Sequence, residues 1–374
     1  MIIARKKMDT GNSNMVALFD RLNALGHEAV FVVQDDETGL KGFIALHNTS
    51  LGPGLGGCRI MNYPSEEAAF EDVLKLSEAM TYKNALAGLQ YGGGKAVIWL
   101  QPGQHKTPEL VRTMGKRIGV LRGSYYTATD IGSTSADMEI MKEVTPYVSA
   151  LPPEKGGLGD SAILTGLGVF QGIKSTVAYQ HGQDSLEGLT IAIQGAGKVA
   201  YHMLTHLKKE YEQAHFNVIL ADTYAPAVDR CVELFPSIKV VEPDEIWQVK
   251  ADILSPNAIG GTLTSEVIAK TQASVIAGGA NNPLAKKSVA DEMRQKGILF
   301  APDFAINSGG VIVLSTELAK GTLEEATEKT KSIYETAQRI FRLAEERQIN
   351  TLDAAIMLAK ERIKEASERP TTLA

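Results

Sequence analysis

At 374 residues the chain exceeds the roughly 250–300 residues at which a single hydrophobic core stops growing, so about two domains are expected. Hydrophobic residues at 44% and charged residues at 22% exclude a disordered or collagenous chain, and a formal net charge of −6 supplies no basic stripe for a nucleic-acid partner. Cys58 and Cys231 lack CxxC or Cys/His ligand spacing, so neither a disulfide framework nor a metal site is indicated, and with no apolar signal segment or run of about 18 apolar residues a cytoplasmic protein without a membrane partner is expected.

The amino-terminal part opens with strand-like runs at Ala29 to Val33 and Gly42 to Leu46. A helix is predicted from about Ser65 to Met80, where Ala68, Ala69, Val73, Leu76 and Met80 recur at three- and four-residue steps behind the acidic start Glu66-Glu67. Next come Thr81-Tyr82-Lys83-Asn84 and Gly92-Gly93-Gly94-Lys95, two lysines twelve residues apart. Glycines before Lys95 would let a substrate press against backbone; the alternative is a surface turn with a solvated lysine. A phosphate loop fails, because Leu89 stands at its first glycine position and Ala96 follows Lys95.

Leu151-Pro152-Pro153-Glu154-Lys155-Gly156-Gly157-Leu158-Gly159 reads as a hinge, which sets a first domain at 1–150 and a second at 151–344. Beyond it a helix (about Leu164 to Gln180), a strand (Leu189 to Gln194) and a helix (Val199 to Lys209) lead into strand candidates at Asn217 to Leu220, Ile253 to Leu254, Ser274 to Ile276 and Ile298 to Phe300. Strands alternating with helices predict a parallel, doubly wound α/β sheet. The tail from Leu323 to Glu365 reads as amphipathic helix broken near Gln348 to Thr351, its last segment (about 345–374) expected to pack back on the first domain.

Gly195-Ala196-Gly197-Lys198-Val199-Ala200 fits the dinucleotide turn G-x-G-x-x-G/A: the first glycine turns the chain, the second admits a pyrophosphate, and Ala200 permits close helix packing. Asp222, 22 residues past Ala200, is placed to bind a ribose 2′-OH; the alternative is a helix-capping or solvated carboxylate. Thr223 and Tyr224 offer no cation and Arg230 lies too far along the chain to supply one, so NAD is favoured over NADP. His202 and His206 are spaced i, i+4 but lack the H-E-x-x-H glutamate, and no metal role is assigned to them.

The runs Gly52-Pro53-Gly54-Leu55-Gly56-Gly57-Cys58-Arg59, Met80 to Ala85, Gly92 to Lys95, Thr127-Ala128-Thr129-Asp130-Ile131-Gly132, Ala277 to Asn282 and Pro302 to Gly310 resemble, in this order, the glutamate/leucine/phenylalanine/valine dehydrogenase family, and most of all its leucine dehydrogenase branch. The resemblance implies an N-terminal α/β substrate and oligomerisation domain, a Rossmann-type NAD-binding domain, and a homo-oligomer, octamer or dimer. It implies that Lys83 binds the α-carboxylate, Lys95 is the catalytic lysine and Asp130 the general acid/base, with Gly56, Gly57 and Asn282 positioning the amino acid. It places Thr165 at the nicotinamide, and Gly195, Ala196, Gly197, Lys198, Val199, Asp222, Asn257, Ala258, Ala280 and Asn282 along the cofactor.

Leu55 stands where glutamate dehydrogenases carry a lysine for the distal carboxylate, and Leu314 where they carry a serine, so a second carboxylate would be buried unpaired. With Met80, Ala128 and Val311 they would form an apolar pocket for a leucine-like side chain. The expected activity is reversible oxidative deamination of an apolar L-amino acid to the 2-oxo acid and ammonia. The alternatives are a phenylalanine or tryptophan dehydrogenase and a catalytically silent NAD-binding regulator. Thr129 in place of a glutamate, and Ser161-Ala162-Ile163 in place of Pro-Ser-Pro, depart from the leucine dehydrogenase pattern near the cleft.

Overall fold

The computed structural model describes residues 18–211 and 216–368; the end of the expected tail helix, 369–374, lies outside the described residues. The first half holds α1 (Leu18–Leu25), β1 (Ala29–Asp35), β2 (Leu40–Asn48), β3 (Gly54–Leu55), β4 (Cys58–Asn62), α2 (Glu66–Leu86), β5 (Gly92–Leu100), α3 (Pro108–Val120), β6 (Tyr125–Tyr126) and α4 (Ser135–Lys142). Its strands form a mixed sheet in the order β1-β2-β5-β3-β6, with β4 running along β5 beyond β3. β1, β2 and β5 are antiparallel neighbours, whereas β3 and β4 lie parallel to β5.

Ser65 caps α2 by accepting the Ala68 N–H, and Glu66 and Glu67 complement the helix dipole. The helix runs past the predicted end at Met80 because polar residues take over its buried face. His47 bonds to the Thr81 hydroxyl at 2.8 Å, and Asn84 donates to the carbonyls of Leu55 and Gly92 at 3.1 and 2.7 Å. Lys83 therefore stands on the helix.

The glycines before Lys95 also differ from expectation. They are buried within β5, and protein fills the space beside them. A Cβ on Gly93 would lie 1.9 Å from the Thr81 hydroxyl, and one on Gly94 would lie 2.6 Å from the Tyr125 ring. Their smallness serves the close approach of α2 and Tyr125, not a substrate.

The second half contains α5 (Ala162–His181), β7 (Thr190–Gln194), α6 (Lys198–Glu210), β8 (Asn217–Ala221), α7 (Ala225–Leu234), β9 (Lys239–Val240), β10 (Ile253–Pro256), α8 (Ser265–Lys270), β11 (Val275–Ile276), α9 (Val289–Gln295) and β12 (Leu299–Phe300). The strands are all parallel in the order β12-β11-β10-β7-β8-β9. Renumbered from β7, this is the 3-2-1-4-5-6 order of the Rossmann fold, with the switch point between β7 and β10. The two-domain α/β class expected from the sequence is thus observed.

Short α10 (Asp303–Ile306) and α11 (Gly309–Leu318) return towards the first sheet, followed by α12 (Leu323–Lys331), α13 (Ile333–Arg347) and α14 (Thr351–Ser367). Left-handed Gln348 ends α13 and Asn350 caps α14, at the predicted break, while a further break falls at Ser332. α14 lies against α2, where the Arg362 guanidinium donates to the carbonyls of Asn84, Ala85 and Leu89. Leu314 of α11 joins the apolar cluster of the first sheet. The Ser149 hydroxyl donates to the Leu314 carbonyl at 3.2 Å, and the Glu317 carboxylate accepts the N–H groups of Leu151 and Leu158.

Candidate active site

Four elements of the first half converge on one group of charges. β5 carries Lys95, whose side chain is 4% exposed and whose ammonium donates to Asp130 Oδ2. Asp130 lies just beyond β6, and its Oδ1 accepts from Ile131 N at 2.7 Å and from Arg59 Nε at 2.8 Å. The parallel register Arg59↔Val97 sets Arg59 of β4 on the same side of the sheet as Lys95. Burial alone would raise the Asp130 carboxyl, but Lys95 and Arg59 beside it outweigh burial and hold it at about 2, so it is a carboxylate at neutral pH.

α2 brings Lys83 to the same place, partly buried, with its ammonium donating to Asn281 Oδ1 of the second half at 3.3 Å. Loss of water lowers Lys83 to about 8; the Asp303 charge opposes this and the Lys95 charge adds to it. Gly56 and Gly57 leave no room for a side chain. A Cβ on Gly56 would meet the Gly94 carbonyl at 2.0 Å and Met80 at 3.1 Å, and one on Gly57 would meet Thr129 and Asp130. Lys83, Lys95, Asp130, Gly56, Gly57 and Met80 are thus one neighbourhood. Cys58, fully buried, has its thiol pushed up to about 12 by burial, which leaves it no thiolate chemistry.

Leu55, Ala128 and Leu314 share one buried apolar cluster. Val311, three residues before Leu314 on α11, packs with the core of the second half. The left-handed backbone of Asn282 (φ 49°) donates to the buried carboxylate of Asp303 at 2.9 Å, and the neighbouring Asn281 accepts from Lys83 and from Asn307, the latter at 2.9 Å. Asn281 and Arg59 carry no role in the sequence reading; an unusual pair of adjacent asparagines is the only local signal for the first.

The second group lies at the carboxyl ends of β7 and β10. Gly195 has φ 96° and a Cβ there would strike Ala258 at 2.8 Å, so the turn requires glycine. Asn257 accepts from Gly279 N at 2.8 Å and donates to Ser255; Ala280 N donates to the Pro256 carbonyl; and Val199 packs where Gly279 has no side chain. Thr165 stands in the first turn of α5 beside Gly310, donating to the Ser161 carbonyl.

α6 begins at Gly197 without a side-chain cap, which leaves its first N–H groups for an anion, and open space surrounds Gly197. Asp222, at the end of β8, accepts from Ala196 N at 2.6 Å and Tyr224 N at 2.8 Å. This turn, open helix start and carboxylate fit a dinucleotide. Arg230, distant in sequence, reaches the same turn through α7: it lies 3.4 Å from the Ala196 carbonyl and 4.8 Å from the centre of the Tyr201 ring. The expectation that it is remote is corrected, since one helical turn brings it back over β8. Lys198 pairs with Asp160 at 2.7 Å. Among the described residues no cluster of histidine, cysteine, aspartate and glutamate could hold a metal ion, and no helix is long and apolar enough to cross a membrane.

Residues 27–147 match the family model described as Glu/Leu/Phe/Val dehydrogenase, dimerisation domain, and residues 222–370 match that of Glutamate/Leucine/Phenylalanine/Valine dehydrogenase. The chain is 43% identical to the leucine dehydrogenase of Bacillus cereus over 92% of its own length and 93% of the relative's. It is 39% identical to the phenylalanine dehydrogenase of Caldalkalibacillus thermarum, again over 92% and 93%. The crystal structure of L-tryptophan dehydrogenase from Nostoc punctiforme superposes with a TM-score of 0.82 at 36% identity, covering 94% of this chain and all of that one.

Proposed function

Because the chain belongs to the glutamate/leucine/phenylalanine/valine dehydrogenase family and is an amino-acid dehydrogenase, we propose that it catalyses NAD-dependent, reversible oxidative deamination of a branched-chain, leucine-like L-amino acid. The observation that supports the substrate class is that Leu55, Ala128 and Leu314 are buried together in one apolar cluster, with Leu55 next to Gly56 of the site. A distal carboxylate placed against this cluster would find no cation, a penalty of several kcal/mol. The first domain, 1–150, supplies the substrate site, and the second, 151–344, the cofactor site, with the Pro/Gly segment after Ala150 as the hinge.

In this reading Lys83 is the cation that holds the substrate α-carboxylate, and Asn281 steadies it from across the cleft. A bound nicotinamide dinucleotide supplies the acceptor for the hydride that leaves Cα. Asp130, kept ionised, accepts the proton of the substrate amine, Lys95 exchanges a proton with the water that attacks the resulting imine, and return of a proton to the nitrogen lets the C–N bond break and ammonia leave with formation of the 2-oxo acid. Burial of Lys95 and Asp130 keeps bulk water from screening these charges. Thr165, the Gly195–Gly197 turn, Asn257 and Asp222 hold the cofactor, and the Asp222 charge disfavours a 2′-phosphate.

The region matching the dimerisation domain presents apolar residues to solvent along edge strand β1, Phe31 at 37% and Val32 at 71% exposure. A homo-oligomer built on this edge is part of the proposal. The test is a panel of 2-oxo acids assayed with ammonia and NADH. The branched-chain acids should turn over fastest and Lys95→Ala should be inactive while retaining NADH affinity. Faster turnover of the phenylalanine- or tryptophan-derived acids would support the second reading, which the phenylalanine and tryptophan dehydrogenase relatives favour. No turnover of any acid would refute both.

A further inference from the structure

The chemistry proposed above uses Lys95 and Asp130 but leaves Arg59 without a task, although its guanidinium touches the same carboxylate. Arg59 is divided between two acids: Nε donates to Asp130 Oδ1 at 2.8 Å and Nη1 to Asp72 Oδ2 at 3.0 Å. Asp72, on α2, also accepts the Tyr63 hydroxyl. The chain of contacts Tyr63, Asp72, Arg59, Asp130, Lys95 thus ties α2 to β4, β5 and the segment after β6. Its inner members are well shielded, with side-chain exposures of 16% for Arg59, 18% for Asp130 and 4% for Lys95.

We infer that Arg59 is a positioning residue for the reaction: anchored by Asp72, it fixes the orientation of the Asp130 carboxylate and supplies the positive charge that lets Asp130 stay ionised when Lys95 gives up its proton. The inference rests on the reading of Lys95 and Asp130 given above. Its physical basis is charge balance. If Lys95 were the only cation on Asp130, deprotonating it would leave a buried carboxylate uncompensated, so the carboxylate would lock Lys95 as an ammonium or take up the proton itself. Arg59 cannot lose its proton, so it neutralises Asp130 in both states of Lys95. Its own charge is offset by Asp72 when the lysine is charged.

The planar fork also accounts for the choice of arginine. One edge nitrogen serves Asp130 while another serves Asp72, a span that a lysine ammonium cannot divide in the same geometry. The other ionisable groups facing Asp130 are Lys83 from α2, the Cys58 thiol, and the Tyr63 and Tyr125 phenols. The thiol and phenols are held protonated through neutral pH by burial, and Lys83 titrates near 8. Below about 8 Lys83 adds a positive charge near Asp130, but it makes no hydrogen bond to the carboxylate, whose direct cationic partners are Arg59 and Lys95.

The experiment measures kcat, KM and the pH profile of oxidative deamination for Arg59→Met, Arg59→Lys and Asp72→Asn in the full-length enzyme. Arg59→Met should lose about tenfold or more in kcat, keep KM for the amino acid within about threefold, and move the acid limb of the kcat profile upwards by about 1 in pH or more. Arg59→Lys restores the charge without the fork, so its acid limb should return towards the wild type while kcat stays reduced. Asp72→Asn should lower kcat several-fold at unchanged KM and gives the answer should Arg59→Met fail to fold.

A wild-type kcat and acid limb in Arg59→Met, equal losses in Arg59→Met and Arg59→Lys without movement of the limb, or a wild-type Asp72→Asn where the Met variant is unobtainable would overturn the inference. Were Asp130→Asn fully active, the reading of the site would fail as well; if that variant is dead and Arg59→Met is normal, only the role of Arg59 falls.

Discussion

Lys83 gives up water on entering the cleft and gains only an amide oxygen within hydrogen-bonding distance, which is why its ammonium falls to about 8. The sign follows directly. Below that value the residue is a cation able to hold a carboxylate, and above it the charge is lost. The kcat/KM for the 2-oxo acid should therefore decline as pH rises through about 8, with most of the loss in KM. Lys83→Arg should carry this limb well above pH 9, because a guanidinium keeps its proton. An unchanged limb in the arginine variant would mean that another group sets it. The fold brings Lys83, Lys95 and Asp130 together, and the three are singled out by the family resemblance in the sequence. Arg59 and Asn281 are not legible there, because what distinguishes them is a contact: Asn281 meets Lys83 across 198 positions of chain, and Arg59 meets Asp130 across 71.

Elements with a clear period are the ones the sequence reveals. β1, β2, β7, β8 and α6 lie within a few residues of their predicted places because apolar residues alternate or recur there. β5 is hidden by its glycines, the two-residue strands β3, β6 and β9 lack an apolar run as long as those that reveal the equally short β11 and β12, and the last turn of α2 is concealed because Thr81 and Asn84 are buried by hydrogen bonds in place of apolar contacts. The β8–α7 pair has a measurable consequence. Asp222 and Arg230 both border the Ala196 turn, one repelling a 2′-phosphate and the other available to attract it. Asp222→Ser should narrow the preference for NAD over NADP by about tenfold or more, mainly through KM for NADP, and adding Arg230→Ala should cancel most of that gain. Equal NADP kinetics in the single and double variants would show that Arg230 does not reach the phosphate.

At the scale of the whole molecule, the two halves meet through Leu314 in the first apolar cluster, the Glu317 carboxylate on the N–H groups of Leu151 and Leu158, and the contact between Lys83 and Asn281. Between copies, the exposed edge at Phe31 and Val32 should act as a joint. Light scattering is expected to report a homo-oligomer for the wild type at micromolar concentration and a smaller species for Val32→Asp, since a charge on that strand opposes edge pairing. A wild-type monomer would end the assembly proposal. The clamp of Arg362 on the end of α2 also bears on how the protein is made. Residue 362 leaves the ribosome 277 positions after the Ala85 carbonyl that it binds. During synthesis the first domain therefore waits, with the last carbonyls of its Lys83-bearing helix bonded by the backbone N–H groups of Ala87, Gly88 and Leu89 but not yet by the guanidinium, until the final helix emerges. A ribosome stalled before α14 would display a first domain still open to proteolysis at the end of α2, and release of the finished chain would close it.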